Sequence, residues 1–395
     1  MKRLFFFLFI SCFFVAKAGN YDNAKVSLLT VMPRSNAVYT VFGHTALRIA
    51  DPSQGLDIVL NWGTFDFNRP NFLYHFIKGE TDYFLSAASM LDFINAYRRG
   101  NSTVVEQEIA IPDSLKLLLI NALDENLQPE NIEYRYNYFF DNCTLRPRDL
   151  VEKYCGGELA YPEQNEELTF RRLVHGLTDA YPWLEFGIDF LIGSGADSLI
   201  CGRSSQFLPE RLMMAFDGAT VLSGGGSRRP LVISKRTLLE ASQPDGKNVG
   251  NKFENILQSP LFVGIILFLI VAVSIIWGLI RKKRLWWLSI LFLITGLGGC
   301  LVAFVAFFSV HPCTFPNWNL LWIHPLQLLG FAGFMLKRRS PVFVRYHALN
   351  FAVLAVLLLA WHWIPQELNI ACIPLIACLL ISSAYYLKYY VKQKK

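Results

Sequence analysis

Tyr136-Asn-Tyr-Phe-Phe-Asp-Asn-Cys-Thr-Leu-Arg-Pro-Arg-Asp-Leu150 changes character halfway along. Up to Phe140 it is aromatic and strand-like. Asp141 and Asn142 are residue types that cap helices. Beyond them, Leu145, Asp149, Glu152 and Lys153 fit the spacing of a helix, with Pro147 tolerated only near its first turn. Cys143 therefore falls at the start of a helix, where unpaired N–H groups and the helix dipole favour a thiolate. Upstream, Val41-Phe-Gly-His-Thr-Ala-Leu-Arg-Ile49 places His44 at the opening of an apparent strand. An imidazole beside Cys143 would favour the thiolate further and serve as general base. A lone cysteine is more often a small buried residue, and a lone histidine a hydrogen-bonded core residue. Only a fold that joins the two makes a site.

Working outward, residues 19–250 have soluble composition. Short strands are expected at 26–30, 46–49 and 57–62, and helices at 86–98 and 114–127, the second opened by Pro112-Asp113. Residues 183–192 are apolar with Glu185 and Asp189 inserted, which suits a membrane surface. Five uncharged apolar stretches follow, at 261–280, 285–310, 320–336, 348–366 and 368–387. Each is close to the ~20 residues that cross a bilayer. The third is short and holds His324-Pro325. At the other end, Lys2 and Arg3 precede an apolar run over 4–15, and Ala16-Lys17-Ala18 offers a small-x-small cleavage site. Residues 1–18 thus read as a signal peptide. The fold class is an α+β domain over 19–250 followed by an all-α transmembrane bundle of about five helices over 251–395.

Composition agrees with that division. The 395 residues are 53% hydrophobic and 17% charged, with mean hydropathy +0.32. Soluble domains carry about 25% charged residues, so an ordinary soluble enzyme and a disordered chain are both excluded. The net charge of +6 is unevenly placed: residues 255–395 hold 12 Lys/Arg and one acid, Glu367, while residues 1–254 hold 25 basic and 30 acidic residues. The basic residues flank apolar segments rather than forming a nucleic-acid patch. Arg281-Lys-Lys-Arg284, Lys337-Arg-Arg339 and the lysines from Lys388 onward mark alternate ends of the spans, whereas 309–319 and 364–369 hold no Lys or Arg. The positive-inside rule puts residues 19–250 outside the cytoplasm and the C-terminus inside. The leader demands the same placement.

Of the eight cysteines, Cys300, Cys372 and Cys378 lie in expected spans and Cys313 on an outer loop. Cys155 and Cys201 could pair in an oxidising compartment. No CxxC, HExxH or clustered His/Cys spacing is present, so neither a metal nor a cofactor is expected.

A strand histidine ahead of a helix-capping Asn-Cys resembles the circularly permuted papain-like proteins, among which lecithin:retinol acyltransferase has the same His-then-Cys order. Phe42-Gly-His-Thr45, Asn61-Trp-Gly-Thr-Phe-Asp66 and Asp141-Asn-Cys143 followed by Arg148-Asp149 more closely resemble the Lnb family of bacterial lipoprotein N-acyltransferases, as do Phe207-Leu-Pro209 and residues 311–322. The resemblance implies a periplasmic permuted papain-like domain on an inner-membrane bundle. It implies that Cys143 takes an acyl chain from a membrane phospholipid as a thioester, with His44 as base. The acceptor would be the α-amino group of the diacylglyceryl-cysteine of a lipoprotein. A third group should orient the imidazole: Asn61 first, Asp66 second, His75 more weakly. Asn142 would assist an oxyanion or cap the helix. Arg146 and Arg148 would meet phosphate or lie on an exposed helix face. His311, Asn317, Asn319 and His324 would line a lipid cavity or satisfy loop hydrogen bonds, beside an aromatic belt of Trp318 and Trp322. Asp189 and Asp197 read as structural. Three rivals remain open at this level: a peptidoglycan amidase or endopeptidase, a phospholipase or thioesterase, and an inactive sensor.

Overall fold

The computed structural model describes residues 21–34, 40–163, 166–242, 257–336 and 340–391. The expected signal peptide and the basic runs 337–339 and 392–395 lie outside the described residues. β1 (Lys25–Val31), β2 (His44–Asp51), β3 (Leu56–Thr64), β4 (Asp82–Ser89), β5 (Val104–Ile109) and β6 (Glu133–Arg135) belong to one antiparallel sheet. Short strands β7 (Glu158–Ala160), β10 (Thr220–Leu222) and β11 (Arg228–Pro230) form a second sheet, and β8 (Leu168–Thr169) pairs with β9 (Leu199–Ile200). The last strand, β12 (Val232–Leu239), completes the main sheet in the order β12-β5-β1-β2-β3-β4-β6. The helices are α1 (Phe72–Lys78), α2 (Met90–Arg99), α3 (Asp113–Asn126), α4 (Leu145–Tyr154), α5 (Phe170–Thr178), α6 (Pro182–Leu191), α7 (Gly202–Ser205) and α8 (Pro209–Asp217).

Side chains two apart on a strand share a face, and β1 uses both. Val26 and Leu28 join Leu47, Leu60, Leu119, Val151 and Phe216 in the larger core. Leu29 and Val31 join Ala46, Val59 and Phe93 on the opposite face, under α2. Two expectations need correction. Residues 86–89, expected in a helix, are the end of β4, where Ser86 pairs with Asn61 and Ser89 with Ile58. The helix begins only where Ser89 Oγ accepts from the Asp92 N–H at 3.0 Å. Residues 136–140, expected as strand, form a turn instead: Asn137 and Asp141 exchange backbone hydrogen bonds of 2.8 and 3.0 Å.

The second half is α-helical: α9 (Pro260–Arg281), α10 (Ser289–Phe308), α11 (Gln327–Met335), α12 (Pro341–Leu359) and α13 (Cys372–Val391). All but α11 are long and apolar enough to cross a membrane. The fourth stretch, expected at 348–366, is helical over Pro341–Leu359 because Ser340 caps it and Pro341 suits its first turn. The third, expected as a span at 320–336, is a 3₁₀ turn over Trp318–Leu321 and the nine-residue α11. Pro325 disfavours a helical conformation at His324, which separates the two. The broken segment still reaches from one end of the bundle to the other. Asn319 Nδ2 donates to the Asp189 carbonyl of the sheet domain at 2.8 Å. At the far end Arg284 donates to the carbonyls of Phe334 and Met335. The unwound chain lies on α10, where a Cβ at Gly299 would stand 2.3 Å from the His324 carbonyl carbon. Gln327 restores hydrogen bonds at the break. Its amide donates to the Trp322 carbonyl at 2.6 Å and to Asn350 Oδ1 at 3.3 Å, and it accepts from the Tyr346 hydroxyl. Irregular backbone at membrane depth survives only when protein covers it in this way.

Candidate active site

The site forms where β2 and β3 meet the start of α4. His44 Nε2 lies 3.2 Å from Asn61 Oδ1. The ring N–H can donate to that amide oxygen, which leaves Nδ1 for the sulfur. His44 and Cys143 are close enough for each to shift the other's charge, and the Thr45 N–H favours the same thiolate. Asn142, buried, fixes the backbone here. Its Oδ1 accepts from the N–H groups of Thr144 and Leu145 at 2.8 and 3.0 Å. Its Nδ2 donates to the carbonyls of Tyr138 and Phe207, each at 2.9 Å. That side chain is a helix cap with no donor left for an oxyanion. The Thr45 and Thr144 hydroxyls, 3.2 Å apart and buried, tie β2 to the helix start. Gly63 allows the close approach: its φ is +91°, and a Cβ there would stand 3.3 Å from Cys143 Cβ and 3.4 Å from the Tyr136 ring.

Charge in the pair follows from these contacts. Burial opposes the imidazolium, but the charge and hydrogen bond of Cys143, with Asn61 behind, raise His44 above its ordinary range. Burial likewise opposes the thiolate, yet His44, the Thr45 N–H and the Thr144 hydroxyl lower Cys143. Both shifts run in the direction that favours a thiolate beside an imidazolium.

The other expected site residues lie elsewhere. Asp66 is exposed and accepts from the backbone and side-chain amides of Asn68, both at 2.9 Å. His75 sits on α1, 3.7 Å from Glu80. Arg146 grips Asp141 through two bonds of 2.7 Å and covers the Tyr134 ring. Arg148 is buried and bonded to Asp149 and the Arg203 carbonyl. Neither arginine is free for phosphate. Asn317 and Asn319 donate to the backbone of α6, to Phe190 and Asp189, at 2.8 Å each. They join the bundle to the sheet domain instead of lining a lipid cavity. His311 Nε2 donates to the Phe76 carbonyl at 2.7 Å, and its ring lies 5.4 Å from that of Tyr138. His324 occupies the break before α11. Cys155 and Cys201 are both free thiols, one buried and one exposed.

Asp189 and Asp197 flank the fully buried Arg171, each at 2.6 Å. One ligand atom from each of His175, Glu185 and Asp189 lies within 4.8 Å of the other two. The Arg171 guanidinium and the His175 imidazole already hold the Asp189 carboxylate. What sequence reasoning missed is the tyrosine wall behind Cys143. Tyr83 stacks on Tyr136 at 4.2 Å, and Tyr136 packs edge-on against Tyr138 at 5.4 Å. The alternation Tyr134-Arg-Tyr136-Asn-Tyr138 was its only signal.

Fold and site together define a membrane protein whose sheet domain pairs a cysteine with a histidine above a helix bundle. The Lnb N-terminal periplasmic domain matches residues 14–176, and the Lnb transmembrane domain matches residues 252–394. The chain belongs to the Lnb family. Neither a curated protein nor a solved structure matches it.

Proposed function

We propose that the protein is a lipoprotein N-acyltransferase of the inner membrane. Membership of a family of membrane enzymes linked to lipoprotein biosynthesis supports this. The observation that carries the chemistry is the chain Cys143–His44–Asn61. The Cys143 thiolate attacks an ester carbonyl of a phospholipid. A C–S bond forms, the C–O bond breaks, and His44 gives its proton to the leaving oxygen, releasing a lysophospholipid. The uncharged α-amino group of a diacylglyceryl-cysteine then attacks the thioester. The C–N bond forms, the C–S bond breaks, and His44 takes the amine proton as the thiolate returns. Acyl energy is kept in the thioester, so no cofactor takes part.

With the broken segment counted as a crossing, the chain passes the bilayer five times. A periplasmic sheet domain then gives a cytoplasmic C-terminus, in accord with the basic residues at that end. The test is expression of the chain and of Cys143→Ser in cells whose own lipoprotein N-acylation is depleted. Mass spectrometry of lipoprotein N-termini should find a third acyl chain with the wild type only. Diacylated lipoproteins in both strains, despite good expression, would overturn the transferase reading and direct attention to wall hydrolysis or lipase activity.

A further inference from the structure

Acyl transfer through Cys143 passes a tetrahedral intermediate in each half-reaction, and the oxyanion of that intermediate needs a hydrogen-bond donor with no other partner. The groups closest to the helix start are committed. Asn142 donates to the Tyr138 and Phe207 carbonyls, and its oxygen takes the N–H groups of Thr144 and Leu145. The Thr45 and Thr144 hydroxyls hold one another. Neither neighbouring arginine fills the gap, since Arg146 is paired with Asp141 and Arg148 with Asp149.

The phenols of the tyrosine wall differ in their surroundings. The Tyr83 and Tyr138 hydroxyls are paired with each other. The Arg146 guanidinium covers the Tyr134 ring, 3.6 Å from its centre, and the Tyr134 hydroxyl is enclosed. Tyr136 is the one that meets Cys143. A Cβ at Gly63 would stand 3.3 Å from Cys143 Cβ and 3.4 Å from Tyr136 Cε2, the ring carbon next to the one that bears the hydroxyl. Glycine, with φ of +91°, keeps that space clear. The Tyr136 ring is stacked on Tyr83 at 4.2 Å and lies edge-on to Tyr138 at 5.4 Å, so packing fixes it before substrate arrives. Its hydroxyl forms no hydrogen bond among the described residues. Burial first, and then the charge of Cys143, hold Tyr136 well above its ordinary value, so it stays a protonated donor wherever the thiolate forms.

We propose that the Tyr136 hydroxyl donates to the oxyanion of the tetrahedral intermediates formed on Cys143, which makes it a catalytic residue of both half-reactions. The proposal rests on the acyl-transfer reading above. The thiolate adds to the ester carbonyl, the carbonyl oxygen takes up the negative charge, and the phenol binds that oxygen without giving up its proton. As the carbonyl re-forms and the C–O bond breaks, the hydrogen bond relaxes, and His44 supplies the proton of the leaving oxygen. Attack of the amine on the thioester passes through an oxyanion at the same carbon. Tyr136→Phe keeps the ring and its stacking and removes only the donor.

The two half-reactions are measured apart. Purified full-length protein is mixed with phosphatidylglycerol vesicles and no acceptor, and the Cys143 thioester is followed by intact mass. Enzyme acylated to completion is then given a synthetic diacylglyceryl-cysteinyl peptide, and loss of the thioester is timed. Tyr136→Phe should lower kcat by about 10²–10³-fold in both, the loss that follows removal of one oxyanion donor, with KM within about twofold of wild type. Alkylation of Cys143 by iodoacetamide displaces iodide at a saturated carbon and forms no oxyanion, so its rate and pH profile should match the wild type. Tyr134→Phe should transfer acyl groups at the wild-type rate; a loss equal to that of Tyr136→Phe would assign the effect to the wall as a whole and overturn the proposal. Unchanged transfer in Tyr136→Phe would overturn it too. So would a loss confined to one half-reaction, which marks a substrate contact, or an altered alkylation profile, which marks a role in holding the thiolate. No thioester with the wild type would overturn the acyl-transfer reading itself, and the proposal with it.

Discussion

What stands around Cys143 favours its thiolate. A strand supplies His44 and the Thr45 N–H, the next strand supplies Asn61, and Asn142 holds the helix start in place. Because the Cys143 value is lowered, the reactive thiolate persists below the pH at which an ordinary thiol is protonated, and is lost as pH falls through the lowered value. Because the His44 value is raised, the acid that serves the leaving group survives to higher pH and is then lost. Thioester formation should therefore follow a bell in pH. His44→Ala should lower it by about 10²–10⁴-fold. The same variant should move the midpoint of iodoacetamide alkylation upward towards the range of a free thiol. Equal alkylation profiles for wild type and His44→Ala would show that the pair does not interact. Asn61→Ala should change the profile in the same direction, whereas Asp66→Ala, removed from the ring, should leave it in place.

At the scale of elements, two packing devices invite measurement. Arg171 of α5 is fully buried between Asp189 of α6 and Asp197. Replacing it with methionine keeps the volume and takes the guanidinium from the buried Asp189 and the partly buried Asp197 carboxylates. Breaking a buried pair in this way costs about 3–5 kcal/mol, so Arg171→Met should lower the thermal midpoint in detergent sharply; a midpoint within one or two degrees of wild type would argue that water reaches the site. In the bundle, the break before α11 depends on a glycine surface on α10 and on Gln327. Gly299→Leu would drive a side chain into the His324 backbone. Gln327→Leu would leave the Trp322 carbonyl and the Tyr346 hydroxyl without their bonds. Each lost bond is worth about 0.6–2 kcal/mol in a membrane interior. Both variants should destabilise the bundle while the isotropic chemistry of Cys143 alkylation changes little; a stability gain in Gln327→Leu would show that the polar network is not a structural device.

Across the whole molecule, the sheet domain and the bundle are joined through α6 and the segment at 309–319. Asp189 accepts from Asn369 at 2.9 Å and from His175, and Gln366 donates to the Ile192 carbonyl at 3.2 Å. His175 faces Glu185, Asp189 and Glu367, which together outweigh burial and raise it. Its contribution is complete below about pH 6.5, its ordinary value, and disappears as pH rises through the raised value. Asp189 is lowered despite burial, by His175 and Arg171, so its contribution is lost only in acid. The junction should be firmest in mildly acidic buffer. The thermal midpoint of the wild type should fall from pH 6 to pH 9 more than that of His175→Gln. Parallel curves would remove His175 from the junction.

The division into a sheet domain and an apolar bundle, the Cys–His pair as a candidate, and the strands β1 to β3 were all legible from local pattern, because period, charge and capping residues act over a few positions. The break in the third span was half legible, in His324-Pro325, but its course across the bundle depends on glycines of α10 that meet it only in space. The helix expected at 86–98 lost its first turn to a strand because pairing with β3 outweighs local propensity. Asn61 stood first and Asp66 second as partner for His44, and the register of β2 and β3 sets Asn61 beside the ring and leaves Asp66 in solvent. Arg146 and Arg148 were candidate ligands because they follow Cys143, and Asn317 and Asn319 because they are polar residues at a membrane boundary. The fold uses them as ties, since a buried donor must find an acceptor wherever the chain brings one. Conversely, the tyrosine wall acquired meaning only when Gly63 brought Tyr136 and Cys143 together. Residue type and spacing determined which chemistry this protein can perform; long-range packing decided which residues are in position to perform it.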